Sequence, residues 1–251
     1  MAKVEKETKL SRQKLIELLN EDLERVRNSV LSMGGLVEEQ LDRAIKALSE
    51  GDSQLGLQVA EDDVKVNRME VSIDEECSRI LATRAPTAGD LRLVIAIIKT
   101  ITDLERIGDE AEKIGTLSAR LATVERPSTN YRELRNLARH VKQMVHGALN
   151  AFARLDTKGA LEVVKADSAV DEEYETIYRQ GITFMMEDPR TITRILDMTW
   201  MARALERIGD HAKNICEYVI FMVHGKDVRY TGLANIEAEV EQAHRRQETR
   251  S

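Results

Sequence analysis

The hexapeptide Leu104-Glu105-Arg106-Ile107-Gly108-Asp109 is repeated unchanged as Leu205-Glu206-Arg207-Ile208-Gly209-Asp210. A chance match of six residues somewhere in such a chain has odds of about one in a thousand, taking roughly 6% agreement per position. Past the hexapeptide, Ala111 and Ile114 recur as Ala212 and Ile215, and Lys113 as an offset Lys213. Upstream, Asp63-Val64-Lys65-Val66-Asn67 aligns with Asp167-Ser168-Ala169-Val170-Asp171. The chain therefore reads as a tandem duplication with its seam near residues 123–130.

Outward from the hexapeptides the apolar residues recur at steps of three and four. Leu104, Ile107, Ala111, Ile114, Leu117 and Leu121 form one stripe; Leu205, Ile208, Ala212, Ile215 and Val219 form its counterpart. That spacing places one apolar stripe on each helix, and no useful stretch alternates with the period of a strand. Strong breaks fall at Arg84-Ala85-Pro86-Thr87-Ala88-Gly89 and Glu187-Asp188-Pro189, where proline ends or restarts a helix. Weaker breaks fall at Glu50-Gly51-Asp52, Glu125-Arg126-Pro127-Ser128 and residues 156–159. Six long helices are predicted: 11–49, 52–83, 90–122, 131–155, 159–187 and 190–224. Gly34-Gly35 is expected to kink the first, and a charged tail after Gly225 carries a short helix at 234–247. The expected fold is all-α: two tandem three-helix bundles side by side.

The 251 residues suffice for one or two domains with real cores, and 42% hydrophobic with 32% charged residues fits a folded chain. A net charge of −7 argues against a general nucleic-acid surface. Cys77 and Cys216 make no CxxC pattern and read as reduced, buried thiols. The start, MAKVEKETKLSRQ, has no apolar run, so no signal peptide is expected. The longest apolar run, Leu93 to Ile98, is far short of the roughly 20 residues a membrane span needs. A cytoplasmic protein is expected. Met185, Met186, Met198 and Met201 read as core filling, and the five histidines share no spacing.

Glu105 and Asp109, like Glu206 and Asp210, stand one helical turn apart on one face, where like charges repel unless something neutralises them. Asp63 and Asn67 are expected to face the first pair from the neighbouring helix, and Asp167 with Asp171 the second. Four oxygen-bearing side chains per unit then suit a cation such as magnesium, manganese, iron or calcium. Solvated carboxylates, with Arg106 and Arg207 as salt-bridge partners, are the plain alternative. Asn67 in place of Asp171 leaves the first site one charge poorer, and the second is the expected stronger binder. Gly108 and Gly209, each about 1 kcal/mol worse than alanine in a helix, imply a close helix approach or a backbone next to a ligand.

The paired LERIGD helices, the stretch DDVKVNRMEVSIDEEC from Asp62 to Cys77 and the turn RAPTAGDLR from Arg84 to Arg92 resemble the PhoU family over about residues 10–225. The resemblance implies a PhoU-like three-helix repeat over residues 1–124 and a second over 125–251, which also holds the charged tail. It implies a homodimer that regulates phosphate homeostasis and restrains the phosphate-starvation two-component response. It also implies two partners, the phosphate-sensing histidine kinase and the ATPase subunit of the phosphate ABC transporter; the membrane is reached only through them. Metal ligands carried over are Asp63, Asn67, Glu105 and Asp109, then Asp167, Asp171, Glu206 and Asp210, for iron, zinc, magnesium or manganese.

Two other readings compete with this non-enzymatic regulator. A carboxylate-bridged helical metalloprotein with oxidase or storage activity uses Glu-x-x-His on facing helices. The pattern occurs here only as Glu241-x-x-His244, in the tail. A long coiled-coil scaffold is disfavoured because Pro86, Pro127 and Pro189 interrupt the helices.

Overall fold

A computed structural model describes residues 2–123, 131–229 and 231–248, with side chains between residues 13 and 242 in those ranges. The predicted break at residues 125–128 and the boundary between 124 and 125 lie outside the described residues. Helices account for nearly all of the rest: α1 Ala2–Glu50, α2 Ser53–Asp62, α3 Val64–Arg84, α4 Ala88–Leu121, α5 Tyr131–Arg154, α6 Thr157–Glu187, α7 Ile192–His224 and α8 Leu233–Glu248. A single 3₁₀ turn, Pro189–Thr191, precedes α7. No strand forms among the described residues.

The duplication is visible in the connections. Asp52 caps α2 by accepting from the Leu55 amide at 2.9 Å, and Asp156 caps α6 by accepting from the Lys158 and Gly159 amides at 3.0 and 3.1 Å. Each cap satisfies amide donors that the first turn leaves unpaired. Gly51 and Leu155, immediately before the caps, both take a left-handed backbone, at φ of 72° and 52°. Glycine does so freely, whereas the leucine carries strain of about 1–2 kcal/mol.

Helices α1 to α4 form one bundle and α5 to α7 the other, joined by contacts of α1 with α5 and of α4 with α7. The apolar stripes of the six long segments, from Val26 and Met33 on α1 to Ile215 and Val219 on α7, merge into a single core. Gly34 lets α1 approach the Leu149 side chain of α5, and α1 runs uninterrupted through Gly34-Gly35. Tail helix α8 lies on α6 through buried Ile236 and Val240. Met198 and Met201 are core residues, but Met186 at the α6–α7 tip is 80% exposed. Among the described residues no helix is long and apolar enough to cross a membrane.

The predicted helix 52–83 is interrupted at Asp63, whereas its counterpart α6 is continuous through Asp167. The interruption accompanies a closer packing. A Cβ on Gly115 of α4 would sit 2.7 Å from the Gly56 carbonyl oxygen of α2. The aligned residues in the second unit are Ala160 and Cys216, which carry side chains where the first unit has none.

Candidate metal centre

Asp63 ends α2 and is 5% exposed, so its carboxylate must be satisfied from inside the protein. Two amides serve it: Gln40 Nε2 of α1 donates to Oδ1 and Asn67 Nδ2 of α3 donates to Oδ2, both at 2.9 Å. The far ends of those amides, Gln40 Oε1 and Asn67 Oδ1, are buried acceptors with no hydrogen-bond donor. Across from them on α4, carboxylate oxygens of Asp109 and Glu112 come within 4.8 Å of each other and of Asp63. Among the described residues no ion pair reaches this trio, although the Lys113 charge partly offsets the burial-driven pKa rise at Asp109 and Glu112. Lys113, the nearest ammonium on α4, turns instead to Glu110, 2.9 Å away, which Arg207 of α7 also reaches at 3.1 Å.

Burial raises the pKa of Asp109, and the Asp63 charge adds to it. Burial followed by Asp63 and Asp109 raises Glu112. Burial raises Glu105 as well, with Asp109, Glu70 and Asp63 behind it. Crowded carboxylates with orphaned amide oxygens beside them form an all-oxygen donor set. It fits magnesium, manganese or iron; with no nitrogen or sulfur ligand in the trio, it suits zinc less. Gly108 sits directly beneath. A Cβ there would stand 3.0 Å from Asp63 Oδ1 and 3.2 Å from Gln40 Oε1.

Of the first predicted set, Asp63 and Asp109 converge, Asn67 holds Asp63 in place, and Glu105 stands outside the trio towards Glu70. Sequence reasoning missed Glu112 and Gln40. Glu112 carries a signal, because it lies three residues after Asp109 on the same face. Gln40 comes from a distant helix and carries none.

The second set is arranged differently. Asp167 is buried, and Lys213 Nζ donates to its Oδ2 at 2.5 Å. Glu206 pairs through Oε1 with Arg203, leaving Oε2 buried and unbonded. Asp171 is exposed and Asp210 half-buried; burial and then the Asp167 charge raise both pKa values. Burial likewise raises Glu206, with Asp210 next. No trio like the first forms here among the described residues. A Cβ on Gly209 would meet nothing closer than Val170 Cγ1 at 3.4 Å and Met144 Sδ at 3.6 Å, so close approach explains Gly108 but not Gly209.

The two thiols are poor nucleophiles: both are buried and unpaired, with the Cys77 pKa pushed up to about 12 and that of Cys216 also raised. Beyond the acidic sites, the second unit exposes an apolar face. Tyr178 and Ile182 on α6, with Ile192, Leu196 and Trp200 on α7, each recur at steps of four, and Trp200 is 54% exposed. The aligned residues of the first unit are Asp74, Ser78, Leu91, Ile95 and Lys99. The two faces have therefore diverged: Asp74, Ser78 and Lys99 make the first mixed and without an aromatic residue, whereas the second is apolar and aromatic.

The PhoU domain model matches this chain twice, over residues 30–117 and 134–219. The chain belongs to the PhoU family. It is 52% identical over 222 residues to the Pseudomonas putida protein named phosphate-specific transport system accessory protein PhoU homolog, covering 88% of this chain and 87% of that one. The PhoU of Escherichia coli K12, named phosphate-specific transport system accessory protein, is 49% identical over 214 residues, 85% and 88% of the two chains. The crystal structure of PhoU from Pseudomonas aeruginosa superposes with a TM-score of 0.80 at 51% identity, covering 82% of this chain and 99% of that one. That of the phosphate transport system regulatory protein PhoU from Streptococcus pneumoniae gives 0.78 at 27% identity, covering 84% and 99%. The PhoU fold and a role in regulating phosphate transport follow for this chain.

Proposed function

We propose that this PhoU protein is a non-enzymatic cytoplasmic adaptor. It represses the phosphate-starvation two-component response by binding the phosphate-sensing histidine kinase and the ATPase subunit of the phosphate ABC transporter. It works as a homodimer, binds no nucleic acid, and reaches the membrane only through its partners. The observation that carries the adaptor reading is the exposed apolar face of α6 and α7. Apolar surface of this kind, exposed among the described residues, marks a protein contact. Its first-unit counterpart carries Asp74, Ser78 and Lys99 in place of Tyr178, Ile182 and Trp200, so the repeat itself does not require it. In the same reading the trio Asp63, Asp109 and Glu112 holds a divalent or trivalent cation, magnesium, manganese or iron, which neutralises the packed carboxylates.

The test is Leu196→Glu together with Trp200→Glu, made in the whole chain. Both side chains are exposed, so the melting temperature should stay within about 2 °C of the parent. Co-purification with the ATPase subunit and the kinase should fall at least tenfold, and a phosphate-starvation reporter should switch on in high phosphate. Full repression with partner binding retained refutes this surface as the docking site. A strain lacking the protein that still represses normally refutes the regulatory reading altogether. Sedimentation of the double variant as a monomer, beside a dimeric parent, assigns the face to self-association instead.

A further inference from the structure

The two acidic sites occupy equivalent places in the duplication, and the structure gives them opposite electrostatic solutions. Aligning the hexapeptides places Glu112 of the first unit at Lys213 of the second. Glu112 completes the carboxylate trio with Asp63 and Asp109, while Lys213 reaches across to the counterpart of Asp63 and donates to Asp167. Two further substitutions reinforce the contrast. Glu110, which pairs with Lys113, aligns with His211, so no carboxylate stands at that position to compete for Lys213. Gln40, whose buried and donor-less oxygen lies over Gly108, is replaced over Gly209 by the thioether of Met144.

We propose that the units carry different counter-ions: the first takes a metal cation between Asp63, Asp109 and Glu112, and the second supplies its own, the Lys213 ammonium. This rests on the metal reading of the first site. A cation entering the second site must displace an ammonium held against a buried carboxylate. It must also enter a cavity of about 820 Å³ where Arg106, Arg203, Arg207, Arg229 and Lys213 already face the carboxylates Asp167, Asp171, Asp210 and Glu217. An added cation there meets built-in positive charges at short range, where repulsion is stronger than in water. The first site offers the reverse, a buried carboxylate with amide partners only and orphaned oxygens that a hard cation satisfies. The repeat thus gives one metal-responsive unit and one whose buried aspartate, Asp167, is met by a built-in ammonium. Cation binding is a property of half the molecule, although both halves carry the same hexapeptide.

A reciprocal swap in the full chain tests this, with Mn²⁺ as the probe and binding measured by calorimetric titration and equilibrium dialysis after chelator treatment. The parent should show one class of site per chain, assigned to the first unit. Glu112→Lys should abolish it, Glu112→Gln should weaken it at least tenfold, and Lys213→Glu should add a second site of comparable affinity. Lys213→Gln, a milder change, should expose a weak second site that raises the melting temperature only when Mn²⁺ is present. If the parent binds Mn²⁺ at two sites and Glu112→Lys removes only one, the asymmetry is wrong and the metal reading survives. Lys213→Glu folding normally yet binding no additional Mn²⁺ also overturns the asymmetry. If the parent binds no Mn²⁺, Mg²⁺ or Fe²⁺, the metal reading fails and this proposal fails with it.

Discussion

Gly108→Ala and Gly209→Ala make the same substitution in the same hexapeptide, and the structure assigns them opposite signs. In a helix interior alanine is favoured over glycine by about 1 kcal/mol. At Gly209 the added Cβ finds ordinary van der Waals room, 3.4 Å from Val170 and 3.6 Å from Met144, so that gain stands. At Gly108 it would lie 3.0 Å from Asp63 Oδ1 and 3.2 Å from Gln40 Oε1. Asp63 cannot retreat freely, because Gln40 and Asn67 hold both of its oxygens. Moving it loosens the Gln40 bond to a buried carboxylate, worth about 2 kcal/mol. The net is about 1 kcal/mol of stabilisation at Gly209 and about 1 kcal/mol of loss at Gly108. For a chain of this size that is about 2–4 °C in melting temperature in each direction. Urea denaturation in chelator, analysed by midpoint at constant slope, measures both. Gly108→Ala should also weaken Mn²⁺ binding, while Gly209→Ala leaves it unchanged. Equal shifts of the same sign refute the claim that Gly108 is required by the Asp63–Gln40 contact.

Two further outcomes are expected. Glu105, Asp109, Glu112, Asp171, Glu206 and Asp210 all have raised pKa values. Such a group adds stability below its unfolded value, near 3.8 for Asp and 4.5 for Glu, and loses it as the pH rises through the folded value. The chelated protein should therefore melt higher at pH 5 than at pH 7, and Mn²⁺ should reduce the difference; a chelated protein more stable at pH 7 contradicts this. Asp103→Ala should cost about 3 kcal/mol in urea denaturation, because buried Asp103 of α4 accepts from His211 at 2.7 Å and Asn214 at 3.0 Å on α7. A cost below about 1 kcal/mol would show that these bonds do not help hold the two units together.

Apolar spacing and proline positions are local signals, so the sequence alone determined an all-α chain of duplicated three-helix units. The breaks at Gly51-Asp52 and at residues 156–159 were equally legible, because a capping aspartate acts within its own turn. The Asp63 break was not, since it accompanies the Gly56–Gly115 approach between helices far apart in sequence. The hexapeptides pointed to Asp63 and Asp109, and charge counting along the sequence favoured the second site. Only the tertiary structure decided how those charges are met, because a carboxylate's partner is set by which side chains the packing brings beside it. Packing set Gln40 of α1 against Asp63 and turned Lys113 towards Glu110. In the other unit it set Lys213 against Asp167, so two identical hexapeptides have acquired different electrostatic surroundings.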